Sequence, residues 1–171
     1  MTKSGEVKSA FPPLLPPGRH VMTADRLEHL TVTRFQSSVM RPIIFAEFRR
    51  LLNEMATFGL VGELWVDGSF MTEKPEPDDI DLSFGFNPEH LDQQTPEARA
   101  FVLTNLNGGK AYSPLLDTYM CFMFPVGDPR QAASSEDYWA EKWLVGWDDR
   151  LKGFAVVKLG ESDVWFNLYA H

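Results

Sequence analysis

Two aspartates, Asp79 and Asp81, stand one residue apart in the apolar segment DIDLSFGF, residues 79–86. Side chains two positions apart in a strand point to the same face of the sheet. Two carboxylates held close together repel each other, and a divalent cation between them removes that cost. Oxygen ligands of this kind suit Mg²⁺ or Mn²⁺. The pair therefore predicts a metal site, and the alternative is a surface strand that carries two solvated acids.

Gly68 and Ser69 follow the preceding apolar segment LVGELWVD, and Lys74 lies in the loop between the two segments. A glycine lets a phosphate approach the backbone, where amide hydrogens and the Ser69 hydroxyl can donate to its oxygens. Lys74 would add positive charge. The alternatives are a turn-forming role for Ser69 and a solvated role for Lys74, while Asp67 is either a ligand-site or a turn residue. Carboxylate-bound metal beside a phosphate cradle is typical of phosphoryl or nucleotidyl transfer.

The elements that position these residues follow from hydrophobic periodicity. The loop between the first two predicted strands is too short for a crossover helix, so we expect that pair to be antiparallel. Strands alternating with amphipathic helices predict an α+β (α/β-like) fold, with a mixed central β-sheet flanked by helices. The predicted strands are 60–67, 79–86, 113–125, GFAVVKLG and DVWFNLY; the predicted helices are ADRLEHL after Thr23, a longer one from about Pro42 to Gly59, NPEHLDQQ, TPEARAFVLTNL capped by Thr95, and SSEDYWAEKWLVGW with Ser134 and Asp137 as a capping box.

Composition limits the classes of partner. The proline-rich segment FPPLLPPGRH predicts an extended N-terminal arm over residues 1–20, followed by a single domain over 21–171. A formal net charge of −8 argues against a broad nucleic-acid surface and favours a small ligand or a protein partner. No apolar run is long enough to span a membrane, and MTKSGEVKSAF lacks the apolar part of a signal peptide. The single cysteine, Cys121, excludes an intrachain disulfide, so we expect a cytoplasmic protein.

Gly68-Ser69, nine further residues and then Asp-Ile-Asp-Leu together resemble the signature of the DNA polymerase beta-type nucleotidyltransferase superfamily. More of the chain is similar to one bacterial family within that superfamily. The similar segments are LLPPGRHVMT, WVDGSFMTEKPEPDDID, LLDTYMCFMFP followed by GDP, and KGFAVVKL. The resemblance implies the nucleotidyltransferase fold. It also implies Mg²⁺- or Mn²⁺-dependent transfer of a nucleoside monophosphate from a nucleoside triphosphate to an acceptor hydroxyl, with release of pyrophosphate.

The superfamily uses a third carboxylate on a later strand, and Asp117 matches that position. The resemblance therefore implies that Asp79, Asp81 and Asp117 are catalytic and hold metal, with Gly68, Ser69 and Lys74 at the nucleotide. Taken by itself, Asp117 could instead pair with an arginine or cap a bulge. The loop also departs from the superfamily pattern, since no arginine follows Ser69. This departure favours the rival hypothesis of an inactive binding module, such as an antitoxin or defence-system partner. The intact Gly68-Ser69 and Asp79-x-Asp81 count against that rival and favour transfer to a protein or small-molecule acceptor.

Overall fold

Five strands form one mixed sheet in the computed structural model, which describes residues 11–125, 127–131, 136–145 and 151–160. The order across the sheet is β1-β5-β2-β3-β4. β1 runs parallel to β5 and β3 runs parallel to β4, whereas β2 is antiparallel to both of its neighbours. The antiparallel pairing of β2 with β3 was predicted from loop length and is confirmed. The strands are β1 (Gly18–Val21), β2 (Gly62–Asp67), β3 (Ile80–Phe86), β4 (Leu116–Phe122) and β5 (Gly153–Leu159).

Helices flank the sheet, which confirms the predicted mixed α+β architecture at that level. Thr23 and Thr95 act as the predicted N-caps, because their side chains accept from the backbone amides of Arg26 and Ala98. The predicted cap Ser134 and the predicted strand DVWFNLY lie outside the described residues. The helices are α1 (Ala24–Glu28), continued by a π-helix (His29–Thr33), α2 (Met40–Thr57), a 3-10 helix (Ser69–Met71), α3 (Pro88–Asp92), α4 (Pro96–Asn105) and α5 (Glu136–Leu144).

The two faces of the sheet carry different cores, because alternate side chains of each strand point to opposite sides. On the first face, Ile80, Leu82 and Phe84 of β3 are buried in the same cluster as apolar side chains of α2 and α4. On the second face, a smaller cluster joins Trp65 of β2 with Trp143 of α5, in addition to Cys121, Met123, Phe154 and Val156. Asp81 alternates with Ile80 and Leu82, so it belongs to the second face.

The N-terminal segment lies against the loop that follows β2. The Leu14 amide donates to the Met71 carbonyl at 2.9 Å, and the Glu73 amide donates to the Pro12 carbonyl at 2.8 Å. β1 begins inside the segment predicted as an arm, so residues 18–20 belong to the sheet. The reason is local: prolines cannot donate to a strand ladder, and GRHV is the first proline-free stretch after them.

Candidate functional site

Three aspartates lie side by side on neighbouring strands, and we call Asp67, Asp81 and Asp117 the acid row. Asp67 is opposite Asp81 in the antiparallel β2–β3 ladder, and Asp81 is beside Asp117 in the parallel β3–β4 ladder. Partners in a ladder point to the same face of a sheet, so the three carboxylates share the second face. The fold thus brings two acids of the predicted metal site, Asp81 and Asp117, together with Asp67, which sequence reasoning left open.

Asp79, the remaining predicted ligand, directly precedes β3. It forms an ion pair with Lys110, whose Nζ lies 2.6 Å from Asp79 Oδ2. Both side chains reach solvent, with 43% of Lys110 and 23% of Asp79 exposed. Asp79 is also the neighbouring charge with the largest effect on Asp81. Asp79 therefore extends the acid row toward the surface and meets a lysine there.

Asp67 occupies the buried end of the acid row. Its side chain pairs with Lys152, which immediately precedes β5, and the exposed fractions of the two side chains are 6% and 14%. Burial raises the pKa of Asp67 to about 6, against the opposing effect of the Lys152 ammonium. Only Oδ2 contacts Lys152, and Asp67 Oδ1 is buried without a hydrogen-bond partner. The lysine therefore satisfies one oxygen of this carboxylate and leaves the other available.

Asp81, in the middle of the row, is the aspartate that the other carboxylates repel from several sides. Burial first, and then the charges of Asp79, Asp67 and Asp117 in that order, raise the pKa of Asp81 to about 6, against the smaller opposing effect of the Lys152 charge. At neutral pH its ionised form is disfavoured by its surroundings, because three other carboxylates face it. A cation in contact with Asp81 would reverse this effect.

Gly68 closes over Asp81. Its φ of 80° and ψ of −165° lie in a region of backbone conformation that is essentially confined to glycine. A Cβ atom at this position would overlap Asp81 Oδ2 and lie 2.8 Å from Asp81 Cγ. The structure shows that Gly68 makes room for the Asp81 carboxylate, and the role of Gly68 in phosphate binding stays a prediction.

The other two predicted nucleotide-binding residues lie in the loop after Gly68. Ser69 is half-buried at the start of the 3-10 helix, and its carbonyl accepts from the amide and the hydroxyl of Thr72. Lys74 Nζ pairs with Asp78 Oδ2 at 2.7 Å. The lysines that pair with aspartates of the site are therefore Lys110, on the predicted ligand Asp79, and Lys152, on Asp67, and not Lys74.

Arg41, a fully buried residue of α2, holds this loop in shape. Its guanidinium donates to the carbonyls of Phe70, Thr72 and Lys74 at 2.7–2.9 Å, and also to the Thr31 carbonyl. Burial lowers the pKa of Arg41 to about 10, so it remains charged at neutral pH. Sequence reasoning missed Arg41 because its acceptors are backbone carbonyls, three of them 29, 31 and 33 residues further along the chain, which no local pattern reveals.

The donor set of the acid row fits a hard divalent cation in its chemistry. Asp67 Oδ1 and Asp117 Oδ1 are both buried and lack a hydrogen-bond partner, and a cation is one species that would satisfy them. Asp117 also accepts a hydrogen bond from the Tyr119 hydroxyl. Burial, the charge of Asp117 and this hydrogen bond, in that order of effect, raise the pKa of Tyr119. Within the described residues, no group of three or more His, Cys, Asp or Glu side chains is arranged to hold a metal ion. Instead, Lys110 neutralises Asp79 and Lys152 neutralises Asp67.

Fold and site together define an α+β protein with a row of carboxylates across three strands of a mixed sheet. The chain belongs to a family described as a family of unknown function (DUF6932), which matches residues 9–158. None of the curated proteins and none of the solved structures compared with the chain matches it. Among the described helices, none has the length and apolar character needed to cross a bilayer.

Proposed function

We propose that this protein is a Mg²⁺- or Mn²⁺-dependent nucleotidyltransferase with the fold of the DNA polymerase beta-type superfamily. It moves a nucleoside monophosphate from a nucleoside triphosphate to a hydroxyl group of a protein or small-molecule acceptor. The observation that carries the proposal is the acid row, in which Asp81 and Asp117 meet across the β3–β4 ladder next to the Gly68-Ser69 turn. The resemblance of residues 65–84 to the superfamily signature points to the same chemistry.

Each residue has a role that follows from its position. Asp79, Asp81 and Asp117 would hold the cation, which when bound neutralises charge and lowers the pKa of the acceptor hydroxyl. The Gly68-Ser69 turn offers amide and hydroxyl donors to phosphate oxygens. Asp117, which has a buried oxygen without a partner, takes the proton of the acceptor hydroxyl. The acceptor oxygen then bonds to the α-phosphorus while the bond to the bridging oxygen of pyrophosphate breaks.

The charge balance of the site supports cation binding. Four carboxylates, Asp67, Asp79, Asp81 and Asp117, face the two ammonium groups of Lys110 and Lys152. When all are ionised, two negative charges remain, which is the charge that one divalent cation neutralises. A second cation would make the site positive and suited to a polyphosphate.

A second function is favoured by the lysine pairs themselves. Lys110 and Lys152 neutralise Asp79 and Asp67 without any metal, and the loop after Ser69 contains no arginine. Both features suit a protein that keeps the fold, has lost transfer and acts by binding a partner, as an antitoxin or defence-system component does.

The two functions are separated by a transfer assay. The protein is incubated with nucleoside triphosphates labelled at the α-phosphate, Mg²⁺ and a cell lysate as the source of acceptors. We expect label transfer by the wild type, none by Asp81→Asn or Asp117→Asn, and wild-type transfer by Asp25→Asn. Asp25 is a matched control because it is an exposed carboxylate on α1 that pairs with Arg49. Equal transfer by Asp81→Asn would refute the proposal, and metal-dependent nucleotide binding without transfer would support the binding module.

A further inference from the structure

Lys110 sits on a loop whose shape brings a cation to the edge of the acid row. It follows Gly108 and Gly109, whose φ angles of 113° and 75° are positive and whose surroundings are open. The Gly109 carbonyl accepts from the Thr118 amide at 2.9 Å, which fixes the base of the loop to β4 beside Asp117. The hydrogen bond to Asp79, and then the charges of three aspartates, raise the pKa of Lys110. The Lys110 ammonium group therefore lies in the electrostatic field of Asp79, Asp81 and Asp117.

The two lysines of the site differ in how firmly they are held. The pair between Lys152 and Asp67 is buried, and breaking it would leave an uncompensated charge in the interior. The pair between Lys110 and Asp79 is partly exposed, and pairs of that kind contribute little because water and salt screen them. Lys110 can therefore exchange its partner at small cost, whereas Lys152 cannot.

We propose that Lys110 is an anion-binding residue that changes partners, pairing with Asp79 in the free protein and with the oxygens of a polyphosphate once a divalent cation occupies Asp79. This inference rests on the proposed function in placing the cation on the acid row. A cation at Asp79 repels the ammonium and takes its acceptor. The freed lysine stays within reach of the cation site, because its backbone is anchored next to Asp117. A polyphosphate bound to that cation would present oxygens to it.

This assignment replaces Lys74 in the role that the sequence gave to a lysine near the triphosphate. Lys74 pairs with Asp78, and its own carbonyl is held by Arg41. Lys110 instead contacts a residue of the predicted metal site directly. It thereby supplies the charge that the superfamily pattern places on an arginine after Ser69.

The proposal predicts opposite effects of one substitution on two ligands. In Lys110→Gln the internal competitor for Asp79 is removed, so Mn²⁺ alone should bind about two- to fivefold more tightly, the range of exposed ion pairs. Tripolyphosphate in saturating Mn²⁺ should bind at least about fivefold more weakly, because its cationic partner is lost. A merely structural role for Lys110 would weaken both. Lys110→Arg, which keeps the charge, should restore most of the tripolyphosphate affinity.

Isothermal titration of the full chain with each probe measures both constants. Arg49→Gln is the control, because it removes one positive charge from exposed pairs on α2, a helix whose core contacts are on the other face of the sheet. It should change neither constant.

The outcomes separate this inference from the proposed function. Opposite shifts in Lys110→Gln support the inference even if the wild type transfers no nucleotide. The inference is overturned if Mn²⁺ affinity is unchanged or weaker, if tripolyphosphate affinity is unchanged, or if the wild type binds no Mn²⁺. Nucleotide transfer by the wild type combined with unchanged constants in Lys110→Gln would leave the function standing and refute the role of Lys110.

Discussion

Replacing Gly68 with alanine tests the geometry at the centre of the acid row. The backbone conformation of Gly68 costs another residue about 1–3 kcal/mol. In a chain of this length each kcal/mol lowers the melting temperature by roughly 2–4 °C. The added methyl group would also overlap Asp81 Oδ2, so the Asp81 carboxylate must rotate away from the row. We therefore expect Gly68→Ala to melt several degrees lower and to lose cation binding.

Thermal unfolding followed by circular dichroism, with and without Mn²⁺, separates the two effects. A cation present at about 100 times its dissociation constant stabilises the wild type by about 2.7 kcal/mol, and this increment should vanish in Gly68→Ala. Gly59→Ala is the matched control, since Gly59 has a φ of 64° and nothing within 4 Å of the position that a Cβ would take. It should lose about 1–2 kcal/mol of stability, because a residue with a Cβ is strained at this φ, and it should keep the full Mn²⁺ increment. A wild-type increment in Gly68→Ala would refute the reasoning that Gly68 shapes the cation site through Asp81.

Two further predictions concern charge at the same site. The pKa of Asp81 in the folded protein, about 6, exceeds its unfolded value of roughly 3.9. Between these two values the folded state keeps a proton that the unfolded state has released. The stability of the metal-free protein should therefore fall as pH rises from about 4 to above 6. Urea unfolding at pH 4.5 and 7 should show a smaller fall in Asp81→Asn than in the wild type, and identical falls would contradict the assignment. Lys152→Met should cost about 3–5 kcal/mol because it leaves Asp67 buried and unpaired. Adding Asp67→Asn should recover much of that loss in the same urea assay, whereas simply additive losses would show that the pair is not coupled.

Local patterns were sufficient for much of the fold. The alternation of residues 79–86 places Ile80, Leu82 and Phe84 on the face opposite Asp81, and the burial of these three side chains in the first core agrees with that pattern. The short loop after β2 predicted an antiparallel neighbour, and the structure confirms that pairing. β1 was not predicted, because the prolines before it favour an extended arm and because its partner β5 lies more than 130 residues further along the chain.

The site was only partly predictable, because its register is non-local. Asp117 was assigned by resemblance, since nothing in PLLDTYMCF states that this strand lies parallel to β3 with Asp117 beside Asp81. Asp67 stayed ambiguous for the same reason. Lys110 and Lys152 precede strands and look like ordinary surface lysines in the sequence. Only the assembled sheet shows that each one meets an aspartate.

The hydrogen bonds from Arg41 to the loop after β2 affect which sequence changes this protein can tolerate during evolution. The guanidinium recognises peptide oxygens of residues 70, 72 and 74, and every amino acid supplies such an oxygen. The solvent-facing side chains of that loop can therefore be exchanged without altering its path, provided that the arginine on the helix remains, whereas Phe70 and Met71 are fixed by their burial in the core. Substitutions in the loop alone can change which ligand binds there, while Arg41 on α2 maintains the backbone conformation of the loop.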